Sequence, residues 1–452
     1  MKAMILCGGS GKKIWPFNDK NQKSCLPVGG VPNVERIVRQ LMRAEFEEIT
    51  LITGYQEKQV KYLLRQYPGL HFLSATDANM NEVIAGQMSE DDGTLLYYGD
   101  IYLEDADLNH LLEVYQERGT SVLLERQVGN FDATNYICAA ANEMVQAYYG
   151  HPRPHYVNAR SGGVFALEGQ MTEYIRNAPG RFLNMPVGGM SPDGFYLEQC
   201  LQTALEDGIE IAAVYVSEVF TDIDLPWDIM EANHLYCQHI VGSMREDKLA
   251  KGSEISSMAV IKGKISLGEN SRIGDRVIIE GNCQIGNDTV IENGAIIGKN
   301  VVIGNNCLVQ HYCKISDHTV IGNNNKIGYL AEVTGVTFDR VAAVHNCELY
   351  GVIGTNVDIA ANCQTGIVKF NDAESWQKAG DKRYHSHFSN GVFIGDYTRT
   401  GICNVFLPGI KIGSNCALGP GFIADHDVAS NSVIIVKQEI ERREWGASKY
   451  GW

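Results

Sequence analysis

An apolar run from Met1 to Leu6 leads directly into Cys7-Gly8-Gly9-Ser10-Gly11-Lys12-Lys13, followed by Pro16, Lys23 and Pro27-Val28-Gly29-Gly30. Glycines in a turn that leaves the carboxyl end of a first strand let backbone N–H groups approach phosphate oxygens. A second apolar run, Thr94 to Tyr98, ends in Gly99-Asp100. A carboxylate at that edge can hold a divalent ion that bridges phosphates. Together the two features point to a phosphate-bearing ligand held with a divalent ion at one edge of a sheet.

The elements that must position these residues alternate. An amphipathic helix is expected from about Pro32 to Ala44, a strand from Ile49 to Thr53, a helix beginning near Glu57, a strand from Leu70 to Ala75, and another helix before Thr94. Such alternation implies a parallel sheet with helices on both faces, a Rossmann-like α/β domain over residues 1–226. Apolar residues at helical spacing (Ile229, Ala232, Leu235, Ile240) predict a linking helix over 227–251, from Trp227 to about Leu249 and closed by Lys251-Gly252-Ser253.

From Ile255 to Ile327 every sixth residue is Ile, Leu or Val, and the residue four places on is mostly small, as at Ser271, Cys283, Thr289, Ala295, Cys307 and Cys313. A six-residue period is that of a parallel β-helix, whose aliphatic side chains stack along one core. The domain is expected over 252–437. The hexads loosen through Asp339 to Cys347, return at Ile353 and Ile359, and break at 366–391, where basic and histidine side chains crowd between Lys369 and His387. Such an excursion reads as a loop reaching a neighbour or a ligand. A tail over 438–452 follows.

The 452 residues exceed what one core organises, and 44% are hydrophobic, enough for two. A formal charge of −16 argues against nucleic acid or an anionic membrane as partner. Neither a membrane span nor a cleavable leader is expected, so a cytoplasmic location is. The twelve cysteines include no C-x-x-C pair, and Cys283, Cys307, Cys313, Cys363 and Cys416 fall at the small corner position, where packing explains them.

Residues 1 to about 240 resemble the sugar-1-phosphate nucleotidyltransferases. Gly8-Gly9-Ser10-Gly11-Lys12-Lys13-Ile14-Trp15-Pro16, Gln22-Lys23 and Leu26-Pro27-Val28-Gly29-Gly30-Val31-Pro32 resemble that family's G-G-x-G-T-R-L-x-P, P-K and L-P-V-x-G-x-P; Tyr98-Gly99-Asp100 and Asp222-Ile223-Asp224-Leu225-Pro226-Trp227-Asp228 resemble its later motifs. The resemblance implies in-line attack of a sugar-1-phosphate on the α-phosphorus of a nucleoside triphosphate, with pyrophosphate leaving. Leu6, Gly8, Gly9, Gly11 and Gly99 would bind the nucleotide, Lys13 the triphosphate, and Lys23 the α-phosphate and sugar phosphate. Asp100 with Asp222 or Asp224 would hold Mg²⁺, the late pair reading equally well as helix N-caps. Departures stand at Lys13, an arginine in the family, at Asn79 to Val83 beside the base, at Tyr149-Gly150-His151-Pro152, and at Ser161-Gly162-Gly163.

Residues 252 to about 437 resemble hexapeptide acyltransferases, through Phe393-Ile394-Gly395-Asp396, Thr400-Gly401-Ile402 and Leu407-Pro408-Gly409-Ile410-Lys411-Ile412-Gly413. The domain order is that of bifunctional uridylyltransferase/acetyltransferases. The resemblance implies a left-handed β-helix, a homotrimer, acetyl-coenzyme A as a second substrate, and a histidine general base, for which His345 is the nearest candidate. Asn362 and Lys369 are the accompanying acyl-transfer candidates. Two classes of function follow: an enzyme making a nucleotide sugar, with or without acetyl transfer, or a regulatory subunit that senses one. Lys23 and Asp100 together favour the enzyme.

Overall fold

The computed structural model describes residues 1–76, 79–88, 92–126, 137–149, 157–177, 197–217, 219–368, 376–380 and 382–446. Lys369, positions 150–152, part of the 366–391 excursion and the end of the tail lie outside them.

The first half runs β1 (Lys2–Cys7), a two-strand hairpin of β2 (Pro27–Val28) and β3 (Val31–Pro32), α1 (Asn33–Arg43), β4 (Ile49–Thr53), α2 (Glu57–Leu63), β5 (Leu70–Ser74), α3 (Met80–Gln87) and β6 (Thr94–Tyr98). There follow β7 (Ile101–Leu103), α4 (Asp105–Arg118), β8 (Ser121–Arg126), β9 (Ile137–Ala141), β10 (Met144–Tyr149), β11 (Ala159–Leu167), α5 (Met171–Arg176), α6 (Leu197–Glu206), β12 (Ala212–Tyr215), β13 (Phe220–Asp222) and α7 (Asp228–Leu235). The main sheet has the order β5-β4-β1-β6-β11-β8-β12-β10-β9. β1, β4, β5 and β6 run parallel, as expected. Beyond them the sheet is mixed, because β11 lies antiparallel to both β6 and β8. β11 follows the antiparallel β9–β10 pair, and the reversal needs no helical crossover. Alternate residues serve the two faces: Met4, Leu96 and Phe165 enter one core, Ile5, Leu95 and Val164 the other.

The linking helix is shorter than its apolar spacing predicts. α7 ends at Leu235 and a wider π turn carries the chain through Val241. Asn282 Nδ2 then donates to the carbonyls of Val241, Gly242 and Met244 at 2.9, 3.1 and 3.2 Å, closing the helix end with a side chain from the second domain. Lys248–Leu249 already pairs in parallel with the strand Ile265–Leu267, so the coil begins before residue 252.

The second half is a three-faced parallel coil, consistent with the left-handed form. Ile255 pairs with Ile273 and Ile273 with Ile291, three hexads on each time. The stacked aliphatics from Leu267 onward are buried, with Cys283, Cys307, Cys313, Cys363 and Cys416 among them. The corner residues do more than fit. Ser271 Oγ, Thr289 Oγ1, Cys307 Sγ and Cys313 Sγ donate to the carbonyls of Gly286, Gly304, Gly322 and Gly328 at 2.6, 2.8, 3.0 and 2.7 Å, so each satisfies a backbone acceptor on the next coil.

Where the hexads loosen, the coil loses two residues: Ile321 pairs with Thr337, and Thr337 with Ile353. Six-residue strands, Glu332–Thr337 and Glu348–Ile353, pass through Gly335 (φ 111°) and Gly351 (φ 147°) instead of turning a corner. The coil then continues past the excursion, with Ile353 beside Ile394 and Thr365 beside Phe406. The described part of the excursion contains a hairpin of Trp376–Ala379 and Lys382–His385, whose Tyr384 ring lies 6.4 Å from that of Trp227. One buried apolar cluster spans both domains, with Ile14, Phe17 and Trp227 against Val320, Phe338 and Phe393.

Candidate active site

The carboxyl ends of β1, β4 and β6 are packed so closely that glycine is required. Gly99 N donates to Leu6 O at 3.0 Å, and a Cβ on Gly99 would fall 2.7 Å from Cys7 Sγ. On Gly54 it would fall 2.9 Å from Gly8 O. Gly9 has no atom within 4 Å of such a position, so the turn presents open backbone there. Gly11 takes a left-handed conformation (φ 57°) and starts the short 3-10 turn that carries Lys13. Met80, in the segment that departs from the family beside the base, lies against Gly8.

Lys23 is fixed by its predecessor. Gln22 Oε1 accepts from Ser24 N at 2.5 Å and Gln22 Nε2 donates to Cys7 O at 2.7 Å, tying the Lys23 turn to the end of β1. From there Lys23 Nζ lies 2.5 Å from Asp100 Oδ2 and also contacts Asp224 Oδ1, while Lys13 Nζ lies 3.1 Å from Asp224 Oδ2. β13 brings the late aspartates here by pairing antiparallel with β7, Asp222 opposite Ile101, and Ile223 N donates to Asp100 O at 3.0 Å. The structure thus assembles Lys13, Lys23, Asp100, Asp222 and Asp224 at one place. Neither late aspartate caps the following helix. Asp228 closes that turn instead, accepting from Asp224 N at 2.9 Å and Leu225 N at 2.7 Å.

The charges are strongly coupled. Burial and then the neighbouring Asp224 charge push Asp222 up to about 7. Burial would also raise Asp224, but Lys23 and Lys13 reverse this and hold it well below the usual carboxylate range. Burial alone would lower Lys23, yet Asp100, Asp224 and Asp222 together raise it well above its ordinary value, so it is a fixed cation. Carboxylate oxygens of Asp100, Asp222 and Asp224 lie within 4.8 Å of one another. An all-oxygen donor set of this size suits a hard divalent cation such as Mg²⁺.

Sequence reasoning missed Arg160, on β11 beside Ser161-Gly162-Gly163. It pairs with Glu125 and feels the Asp222 charge, adding a third cation to this edge. Its position next to a departing motif was the available signal.

In the β-helix, His345 is exposed at a corner, and Asn362 N donates to His345 O at 3.0 Å from the adjacent coil. The two candidates therefore stand on neighbouring coils.

Residues 3–171 match the MobA-like NTP transferase domain, and residues 264–299 and 300–335 match the bacterial transferase hexapeptide repeats. This chain joins a nucleotidyltransferase domain to transferase hexapeptide repeats. It is 27% identical to "Bifunctional protein GlmU" of Methanocaldococcus jannaschii over 97% of this chain and 98% of that protein. It is 25% identical to the "Bifunctional sugar-1-phosphate nucleotidylyltransferase/acetyltransferase" of Sulfurisphaera tokodaii, covering 95% and 98%. Among solved structures, a UTP-bound UGPase from Acinetobacter baumannii is similar with a TM-score of 0.42 and 16% identity, covering 52% of this chain and 93% of that one. No helix among the described residues is long and apolar enough to cross a membrane.

Proposed function

We propose that the chain condenses a sugar-1-phosphate with a nucleoside triphosphate, forming a nucleotide sugar and releasing pyrophosphate. The observation that carries this is Lys23 held between Asp100 and Asp224 beneath an open glycine turn. A sugar-phosphate oxygen attacks the α-phosphorus, and the bond to the β-phosphate breaks as pyrophosphate leaves. In such a transfer the protein supplies position and charge more than covalent chemistry. The turn at Gly8 to Gly11 cradles the phosphates with its backbone, Lys13 meets the triphosphate, and Lys23 meets the α-phosphate between the two substrates. Asp100, Asp222 and Asp224 would hold Mg²⁺, which when bound offsets phosphate charge. The Sulfurisphaera tokodaii relative, named for this chemistry and matched over nearly its full length, supports the reading. Pyrophosphate release, assayed with Mg²⁺ across the four common nucleoside triphosphates and glucose-, N-acetylglucosamine-, glucosamine- and mannose-1-phosphate, is the test. Release with one pair names the substrates, and silence from folded protein overturns the reading.

A second activity in the β-helix is favoured by His345 and Asn362 standing on adjacent coils. His345 would take a proton from an acceptor amine as it attacks acetyl-coenzyme A, within a cytoplasmic homotrimer assembled through the coils. His345→Ala should abolish coenzyme A release and leave pyrophosphate release intact; equal loss of both refutes separate sites.

A further inference from the structure

The chain between the two active-site lysines does not stay on its own domain. From Trp15 to Asn21 it lies across the β-helix. Phe17 is fully buried with its ring 5.4 Å from that of Phe338, and Ile14, next to Lys13, enters the same cluster.

A polar column on the coil grips the same segment. Asp396 Oδ2 accepts from Asn21 Nδ2 at 2.7 Å. One coil on, Ser414 Oγ donates to Pro16 O at 3.4 Å. On the next, Ser430 Oγ donates to Asp19 Oδ2 and accepts from Trp15 Nε1, the latter at 3.3 Å.

This column is built from the repeat itself. On earlier coils the equivalent position is Asn305, Asn323 or Asp339, whose Oδ1 accepts a backbone N–H from the preceding coil. Asp396 keeps that role through Oδ1, which accepts from Thr355 N at 2.5 Å, and turns its second oxygen to Asn21. The grip passes inward at once. Asn21 Oδ1 accepts from Gln59 Nε2 at 2.9 Å, Gln59 Oε1 accepts from Gln22 N at 2.6 Å, and Gln22 caps the turn of Lys23.

We infer that the β-helix is a working part of the nucleotidyl-transfer site, with Asp396, through Asn21, a positioning residue for Lys23. This rests on the reading above. Positioning governs the rate in such transfers, where a 1 Å displacement costs up to roughly 100-fold.

The test exploits the two oxygens of Asp396. Asp396→Asn keeps an acceptor for Thr355 N but turns an amide donor toward the Asn21 donor. Expected is a fall in kcat for pyrophosphate release of about tenfold or more, with KM for the nucleoside triphosphate changed far less. Adding Asn21→Asp restores the bond to position 396 with donor and acceptor exchanged but gives up the bond from Asn21 Nδ2 to Phe17 O at 3.2 Å, so kcat should recover by about threefold or more over the single variant. A merely structural role predicts no such recovery. Unchanged kcat in Asp396→Asn, or a double variant as slow as the single one, overturns the inference. Amide hydrogen exchange across residues 8–26 is read in parallel. Faster exchange in Asp396→Asn, reversed in the double variant, supports the clasp even if the unaltered protein releases no pyrophosphate, a result that would sink only the proposed reaction. Exchange identical in all three proteins overturns the clasp itself.

Discussion

Lys23 Nζ lies 2.5 Å from Asp100 Oδ2, so the active-site ammonium sits on a carboxylate of the cluster suited to the metal. On the proposed reaction, lysine and cation would compete for charge on Asp100 before phosphates arrive to be shared between them. Lys23→Met should bind Mn²⁺ more tightly than the unaltered protein, by calorimetric titration, because three coupled carboxylates lose their fixed cation. Its kcat for pyrophosphate release should nevertheless fall by roughly 100-fold or more, since the charge proposed to meet the α-phosphate has gone. Weaker Mn²⁺ binding would show that Lys23 organises the carboxylates instead of competing for them.

Asp100→Asn separates metal holding from fold. Asp100 is partly exposed, and backbone groups, Gly99 N donating to Leu6 O and Asp100 O accepting from Ile223 N, tie this turn in place without its side chain. The variant should keep its melting temperature within a few degrees and lose Mg²⁺-dependent pyrophosphate release by about 100-fold or more. Full activity in the variant would remove Asp100 from the metal site.

How much of this was legible depends on the range of the forces involved. The coil was readable because each hexad is specified locally, by one aliphatic and one small corner residue. The gathering of Lys13, Lys23 and Asp100 was readable from the strand-then-turn pattern, since strands of one sheet end at one edge. Other features depend on partners far along the chain. Asn282 ends a helix forty residues earlier. Nothing local to Asn21, Asp396 or Ser414 marks it as a contact between domains, and that role appears only when the domains pack. The direction of β11 was hidden for the same reason, as periodicity marks a strand without saying which way it runs.

The shortened coils make a separate prediction. A Cβ on Gly351, at φ 147°, would lie 1.9 Å from Val392 O, and one on Gly335 would lie 2.3 Å from Gly351 O and 3.1 Å from Met230 Cε. Backbone atoms cannot yield as a flexible side chain can. Gly351→Ala should destabilise the protein by about 3 kcal/mol or more, read as a lowered denaturation midpoint, whereas Gly86→Ala, on α3 with nothing within 4 Å and no left-handed φ, should cost no more than about 1 kcal/mol. Equal midpoints would mean that the straight strands bend to admit a side chain.

The seam between the domains should also respond to pH. Burial pushes Asp396 up to about 6, against the N–H of Thr355 and the Asn21 amide, with Asp19 adding to the rise and Lys20 opposing it. An unfolded aspartate titrates near 3.9, so between about pH 4 and pH 6 the folded chain holds a proton that the unfolded chain has released. The sign follows: this group adds stability below about pH 4 and loses it as pH rises through 6. Asp396→Asn removes the titration and leaves the other groups in place. The stability of the unaltered protein relative to that variant should therefore decline by up to about 3 kcal/mol between pH 4 and pH 7, measured by denaturant unfolding at each pH. A constant difference across that range would return Asp396 to the ordinary carboxylate range and mean that water reaches the seam.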